Sequence, residues 1–272
     1  MHRSNVVARA AVPAAALPLL LFGACSTVAV SERKQLNLVP DSDLLALSDQ
    51  QYAQVIAEGP LSQDAEQVAR IRRIGNDIRQ AVERHAAENN RTADLQGYEW
   101  EFNLIESDQV NAWCMPGGKV AFYTGILPVC QTDDGIAVVM GHEVAHAVAK
   151  HGAEKMSQQM VAQFGQQTLG ALLSTKSAET QTIFMSAYGI GAQYGALLPF
   201  SRTMESEADH LGLVFMAMAG YDPEAAVPFW ERMSALKGGA APPEFASTHP
   251  SDASRIKQIQ EWLPEAKAAM PK

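Results

Sequence analysis

The sequence predicts a mainly α-helical α+β fold with one small β-sheet. The chain has 272 residues, of which 47% are hydrophobic, and this suffices for the core of one large domain. Between residues 62 and 85, apolar side chains such as Ile71, Ile74 and Ile78 recur at steps of three and four, which is the helical period. Between residues 98 and 127, apolar and polar residues alternate instead, which predicts short strands.

The N-terminal 24 residues resemble a bacterial lipoprotein signal and are left out of the fold prediction. Arg3 and Arg9 give a positive start, an apolar run of about a dozen residues follows, and small residues precede Cys25. That run is too short to span a membrane. We therefore expect residues 1–24 to be removed, Cys25 to be lipidated, and the protein to lie on the periplasmic face of the outer membrane. The alternative is a plain secretory signal.

Residues 25–43 are polar and mixed, which is typical of a linker between a lipid anchor and a domain. We assign residues 44–264 to the domain and residues 265–272 to a C-terminal tail. The predicted strands lie near residues 100–104, 110–115 and 119–124. Outside the sheet, helices are predicted at residues 44–58, 62–85, 153–173, 183–198, 201–219, 224–236 and 254–262. The last helix is expected to end before Pro264, because proline rarely continues a helix.

The most specific pattern in the chain is a histidine–glutamate pair followed by a second histidine. His142 and His146 are four residues apart and therefore lie above one another on one helix face. Glu143 projects about 100° around the helix, towards the open side of an ion bound by both histidines. A zinc hydrolase needs this arrangement, since the metal acidifies a water and the carboxylate takes its proton. The alternative, a core helix with two buried histidines, is costly without a metal or partners.

The flanks of this pattern support a buried helix. Thr132 offers a capping side chain, and Asp133 and Asp134 follow it, where the helix dipole favours negative charge. Residues 136–140 are all apolar. The basic turn and the glycine of residues 150–152 predict the end of the helix.

A catalytic zinc site usually takes three protein ligands and keeps one position open for water. The side chains available for the third position are His151, Glu154, Glu205, Glu207, His210 and His249. Glu205 and Asp209 are four residues apart and share a helix face, so we select Glu205 as the ligand and Asp209 as acceptor of an imidazole N–H. Glu207 points about 200° away from Glu205 and, like His210, fits a solvated helix face.

Together these motifs resemble the gluzincin zinc peptidase family that includes HtpX, the Ste-type CAAX-processing proteases, BepA and LoiP. The resemblance covers roughly residues 45–260. It rests on His142-Glu143-Val144-Ala145-His146, Ser201-Arg202, Glu205-Ser206-Glu207-Ala208-Asp209, Asn111-Ala112, Pro116-Gly117-Gly118 and Thr248-His249-Pro250 with Arg255. It implies a zincin-type peptidase domain, with the active-site helix beside the short sheet.

The resemblance also implies roles for the site residues. His142, His146 and Glu205 would bind one zinc ion per chain, and Glu143 would be the general base. Asp209, Arg202 and His249 are candidates around them. His249 before Pro250 also fits simple turn chemistry. If it instead lies close to the zinc, it either stabilises the oxyanion or closes the water position as a fourth ligand.

The departures from the family narrow the expected function. The sequence shows no transmembrane helices and no tetratricopeptide region, so a stand-alone LoiP-like lipoprotein is the nearest match. We expect a zinc-dependent endopeptidase that cleaves misfolded or misassembled envelope proteins, in contact with outer-membrane assembly machinery. The alternative is a non-catalytic assembly factor or holdase with a structural zinc. Glu143 argues against that alternative, because a structural site needs no base.

Two cysteines, Cys114 and Cys130, follow the expected signal. An even pair in an oxidising compartment suggests a disulfide. The alternative is two separate buried thiols, because free cysteine packs like a small hydrophobic side chain.

The chain is acidic, with 21 Lys and Arg against 30 Asp and Glu and a net charge of -9. Residues 1–24 contain two arginines and no acidic residue, so the expected mature chain has a net charge of -9 minus 2, or -11. An acidic protein is a poor binder of nucleic acid, which we therefore exclude as a partner.

Overall fold

The computed structural model describes residues 25–28, 31–182, 185, 198–236, 244–249 and 253–271. The expected signal at residues 1–24, the predicted helix at residues 183–198 for nearly all its length, and most of the loop after residue 236 lie outside these ranges. Within them, helices predominate and the strands form two small sheets, which confirms the predicted α+β class. None of the described helices is both long enough and apolar enough to cross a lipid bilayer.

The helices follow the predicted order along the chain. They are α1 (Asp41–Glu58), α2 (Ala65–Glu88), α3 (Leu127–Cys130), α4 (Asp133–Val148), α5 (His151–Leu173), α6 (Leu198–Met218), α7 (Ala226–Leu236), α8 (Glu244–Thr248) and α9 (Ala253–Ala268). Short 3₁₀ turns occur at Thr92–Leu95, Thr124–Ile126 and Pro223–Ala225. Thr132 caps the start of α4 as predicted, and Asp64 likewise accepts a hydrogen bond at the start of α2.

The three predicted strands form one sheet beside α4. Strands β3 (Glu101–Ile105), β4 (Ala112–Met115) and β5 (Lys119–Tyr123) lie in the order β3-β5-β4. The central strand β5 is parallel to β3 and antiparallel to β4. Strand β4 is therefore at an edge of the sheet, and it packs against α4. This confirms the expected position of the sheet next to the helix that carries the two histidines.

Helix α4 is the centre of the core. Every residue from Gly135 to Ala147 is buried except His146, which explains the apolar sequence of this helix. The apolar face of α2, with Ile74 and Ile78 fully buried, packs on one side, and α6 packs on another. A helix that is buried along most of its length holds its side chains in fixed positions, which suits it to carry a site.

Helices α4 and α6 cross in backbone contact at two glycines. A Cβ atom on Gly212 would lie 2.8 Å from the His142 nitrogen and 2.9 Å from the Gly141 carbonyl carbon. A Cβ atom on Gly141 would lie 2.7 Å from the Gly212 carbonyl oxygen. Real Cβ atoms essentially never approach that closely, so only glycine permits this crossing. The crossing brings His142 on α4 next to Asp209, one turn before Gly212 on α6.

The predicted end of the histidine helix is wrong by a few residues. Helix α4 ends at Val148, and Lys150 adopts a left-handed conformation with φ of 57° before α5 begins at His151. Lys150 thus takes the position that glycine often occupies at a helix end, while Gly152 lies inside α5. The Lys150 ammonium pairs with Asp41 at 2.6 Å, which helps to hold the turn.

The two ends of the domain are more ordered than predicted. Residues 25–43 contain an antiparallel hairpin of β1 (Cys25–Thr27) and β2 (Lys34–Leu36), so they are not a simple linker. At the other end, α9 continues through Pro264 to Ala268, so the tail does not begin at residue 265. Ala266 is 1% exposed and belongs to the core, and this burial offsets the hydrogen bond that proline cannot donate.

The suggested disulfide is not formed. Cys114 lies on edge strand β4, and Cys130 is fully buried at the end of α3, and both are free thiols. The alternative of two separate thiols is therefore the correct one. Burial raises the pKa of both thiols, that of Cys130 to about 12, so they pack as neutral groups.

The glycine crossing yields a test of stability. We predict that Gly212→Ala lowers the free energy of unfolding by about 1–3 kcal/mol, because the added methyl group forces α4 and α6 apart. Urea unfolding followed by circular dichroism measures the change.

Gly170→Ala is the matched control for that substitution. Gly170 also lies inside a helix, but a Cβ atom there meets nothing within 4 Å. Alanine at this position should raise stability by about 0.5–1 kcal/mol through its higher helix propensity. Equal effects of the two substitutions would contradict the close crossing.

Candidate metal centre

Two histidines on the central helix aim ring nitrogens at each other. His142 and His146 lie one turn apart on α4, as their spacing predicts, and their Nε2 atoms are 3.1 Å apart. The side chain of His142 is 2% exposed and that of His146 is 16% exposed. Both histidines are therefore largely buried, and His146 is the more exposed of the two.

Glu205 on α6 and His249 after α8 complete the cluster. The Glu205 carboxylate oxygens lie 3.5 Å from His142 Nε2 and 3.4 Å from His146 Nε2. His249 Nδ1 lies 3.0 Å from a Glu205 oxygen and 3.1 Å from His142 Nε2. One donor atom from each of the four residues falls within 4.8 Å of the others, close enough to hold one metal ion. Three imidazole nitrogens and a carboxylate oxygen are a donor set that suits zinc.

A buried carboxylate orients His142. Asp209 Oδ1 lies 3.0 Å from His142 Nδ1, and the Arg255 guanidinium donates to both Asp209 oxygens at 2.6 and 2.7 Å. The carboxylate places the His142 proton on Nδ1 and leaves the Nε2 lone pair free to bind a metal. Arg255 also lies 3.4 Å from the centre of the Trp230 ring. This is the position that helical spacing suggested for Asp209, and Arg255 is the arginine that completes it.

The general-base candidate, Glu143, is buried beside the cluster. Its residue exposure is 3%, and its Oε1 atom accepts no hydrogen bond from the described residues. The nearest basic atom is His249 Nε2, 3.4 Å away. Burying a carboxylate oxygen without a hydrogen bond costs free energy. Such an oxygen is typical of a site that binds a substrate, an ion or water.

Burial and the neighbouring charged groups act in opposite directions on the ligand candidates. Burial opposes charge on His142, but its hydrogen bonds with Asp209 and Glu205 outweigh burial and raise its pKa to about 9. Burial lowers the pKa of His146 well below the usual value, so this ring is neutral, as a metal ligand must be. Burial alone would raise the pKa of Glu205, yet the neighbouring imidazoles of His146 and His142 hold it well below its usual value.

A cavity of about 280 Å³ opens beside these side chains. Glu143, His146, Glu205 and His249 border it on the side of the cluster. Its apolar lining comprises Leu44, Leu45, Tyr98, Cys114, Pro116 and Met204, and charged side chains such as Asp41, Asp94, Lys150 and Lys155 also line it. The cavity is thus large enough for a side chain of a bound ligand and touches the edge strand β4.

The remaining predicted site residues have mixed outcomes. Arg202 is exposed and lines a separate cavity that borders Glu205 and Asp209. Glu207 is buried and not on a solvated face, and it binds His151 and Arg33. His210 pairs with Glu265, away from the cluster. The contacts of His151 and Arg33 were missed by sequence reasoning.

Comparisons with known proteins agree with this site. The model of peptidase family M48 matches residues 74–263, which is more than half of the chain. The mitochondrial metalloendopeptidase OMA1 of Schizosaccharomyces pombe is 43% identical over 182 residues, covering 63% of this chain and 49% of that protein. The human mitochondrial metalloendopeptidase OMA1 is 29% identical over 187 residues, covering 65% of this chain and 35% of that protein. The beta-barrel assembly-enhancing protease of Yersinia pestis is 28% identical over 222 residues, covering 79% of this chain and 43% of that protein.

These relatives correct one expectation. We expected a lipid-anchored protein on the periplasmic face of the outer membrane, but relatives with up to 43% identity are mitochondrial enzymes. The expected location is therefore wrong, whereas the lipidation of Cys25 stays a prediction. The chain spans about half or less of the length of these curated relatives.

The family suggested by the sequence motifs is confirmed. The matched residues include both helices that carry the cluster, α4 and α6, together with the sheet beside them. The chain belongs to peptidase family M48, a family of zinc metallopeptidases.

Proposed function

We propose that this chain is a zinc-dependent endopeptidase that hydrolyses peptide bonds in misfolded or misassembled proteins. The observation that carries the proposal is the buried Glu143 carboxylate, whose Oε1 accepts no hydrogen bond from the described residues, directly beside a cluster of metal-binding side chains. Relatives that bear the name metalloendopeptidase match the same part of the chain and support the activity.

The side chains that would hold zinc are His142, His146 and Glu205. Their donor atoms converge, and two buried helices keep them in place. Bound zinc supplies a Lewis acid that acidifies water and polarises a carbonyl group. Asp209 fixes the orientation of the His142 ring, so that its Nε2 lone pair points into the cluster.

Glu143 performs the proton transfers in this proposal. Its carboxylate accepts a proton from the attacking water and returns it to the leaving amide nitrogen. Burial raises the pKa of Glu143, which makes the carboxylate a better base than an exposed glutamate. The side chain borders the cavity, so a peptide seated there would lie within its reach.

The edge strand and the cavity fit an extended polypeptide. Strand β4 (Ala112–Met115) pairs only with β5 among the described strands, so its other edge has no strand partner within the described residues and could take an added strand. A substrate held there forms backbone hydrogen bonds that do not depend on sequence, while the apolar lining of the cavity takes a side chain. Unfolded segments offer both an extended backbone and exposed apolar side chains, and this supports misfolded proteins as substrates.

The first prediction of this function concerns the base. Glu143→Gln should lower the rate of peptide cleavage by about 10²–10⁴-fold, because glutamine has the same shape but cannot accept the proton. Zinc binding should remain, since Glu143 is not among the clustered donor atoms. Cleavage of an unfolded model protein and zinc content by mass spectrometry measure the two effects.

Glu83→Gln is the matched control, because Glu83 is half-buried on α2 and, among the described residues, pairs with Arg79 on the same helix. It should cleave like the native protein. Full activity of Glu143→Gln would exclude Glu143 as the base. If the native protein binds zinc and cuts nothing, the alternative of a non-catalytic assembly factor or holdase gains support.

The second prediction concerns His249, which lies among the donor atoms as a fourth candidate ligand. In that position it occupies the space that a substrate or water needs. Displacing it breaks its hydrogen bond to the charged Glu205 carboxylate, which costs about 1.5–3 kcal/mol. His249→Ala should therefore raise kcat/KM about tenfold or more.

His210→Ala controls for the loss of a histidine, because His210 pairs with Glu265 outside the cluster. It should leave kcat/KM unchanged. A large fall of kcat in His249→Ala would show the opposite role, stabilisation of the developing oxyanion.

A further inference from the structure

An arginine from the N-terminal hairpin lies between two buried carboxylates. Arg33 precedes β2 and donates to Glu154 on α5 at 2.8 and 2.6 Å, and to Glu207 on α6 at 2.9 and 2.8 Å. The side chains of Glu154 and Glu207 are 2% and 7% exposed, and that of Arg33 is 20% exposed. Two buried carboxylates this close need a shared cation, and the planar guanidinium can serve both at once.

Glu207 connects this arginine to a candidate metal ligand. His151 Nε2 lies 3.2 Å from Glu207 Oε2, and His151 Nδ1 lies 3.0 Å from His146 Nδ1. The His151 side chain is 3% exposed, so water does not compete for these contacts. A continuous chain of contacts thus runs from Arg33 to His146, across more than 110 residues of sequence.

The chain of contacts fixes the position of each proton. His146 turns Nε2 towards His142 and Glu205, so its own proton belongs on Nδ1 when Nε2 binds a metal. That Nδ1–H donates to His151 Nδ1, which must then be the acceptor. The His151 proton therefore sits on Nε2 and donates to the Glu207 carboxylate.

The two candidate ligand histidines have parallel support. His142 contacts a carboxylate, Asp209, which in turn pairs with an arginine, Arg255. Behind His146, the same carboxylate–arginine pair appears as Glu207 and Arg33, with His151 inserted between. Such partners orient a ligand and increase its basicity.

We propose that Arg33 is a positioning residue of the metal centre, acting through Glu207 and His151 on the ring of His146. The inference rests on the metal site proposed above. It makes the N-terminal hairpin part of the active centre. Ser31 also donates to Glu207, and the Leu38 N–H donates to Ser157 on α5 at 2.9 Å, so further contacts hold the hairpin against the same two helices.

The test measures zinc affinity of the full chain by competition with a chromogenic chelator. Arg33→Met should bind zinc about 10–100-fold more weakly than the native protein, which is the usual effect of losing an outer partner of a metal ligand. Arg70→Met is the matched control. Arg70 is 22% exposed and pairs with a carboxylate, Asp133. The residues that it contacts are not part of the metal cluster. It should keep native affinity.

A second pair of variants separates positioning from general destabilisation. If Arg33 acts through His151, adding Arg33→Met to His151→Phe should cause little further loss of zinc affinity. Independent, additive losses would overturn the proposed route. The melting temperature of the zinc-free proteins reports any structural loss separately.

The outcomes distinguish this inference from the proposed function. If the native chain binds no zinc, the metal site itself fails. If it binds zinc and Arg33→Met binds equally well, the inference is wrong and the site stands. Should Arg33→Met not fold, Arg33→Lys decides. It keeps the charge but cannot serve both carboxylates, so we expect weaker zinc binding, and native affinity would overturn the inference.

Discussion

Helices α4 and α6 touch backbone to backbone at Gly141 and Gly212, and this contact constrains both the core and the site. Helix α4 carries His142, Glu143 and His146, whereas α6 carries Glu205 and Asp209, so neither helix holds a complete site. Backbone contact at the crossing lets the short carboxylate of Asp209 reach the ring of His142 at 3.0 Å. The small sheet and α2 then bury α4 from other sides. The packing of the core and the geometry of the site therefore depend on the same contact.

Electrostatics in the site follow from burial combined with selective pairing. Each buried carboxylate behind a histidine has an arginine partner, and that pairing keeps it charged. Among the described residues, Glu143 has no arginine partner, and burial raises its pKa. The same low-dielectric region thus contains carboxylates that orient neighbours and one that is left reactive. This difference in pairing, more than the residue type, separates the supporting roles from the chemical one.

The features that depend on the spacing of nearby residues were predicted correctly from the sequence. The spacing of His142 and His146, the alternation before α4 and the shared face of Glu205 and Asp209 depend on helix and strand periods, and the structure reproduces them. Long-range contacts were missed. Glu207 looked solvated because its partner Arg33 lies 174 residues earlier in the chain. The predicted helix ends near Lys150 and Pro264 were also wrong, because tertiary contacts there override the preference of single residues.

The most direct test of the account is anomalous diffraction at the zinc edge from crystals of the full chain grown with zinc. We predict one peak per chain, about 2.0–2.2 Å from the Nε2 atoms of His142 and His146 and from the Glu205 carboxylate. Such a peak would place the metal next to the carboxylate of Glu143. No peak among these side chains, or zinc bound elsewhere at full occupancy, would contradict the account.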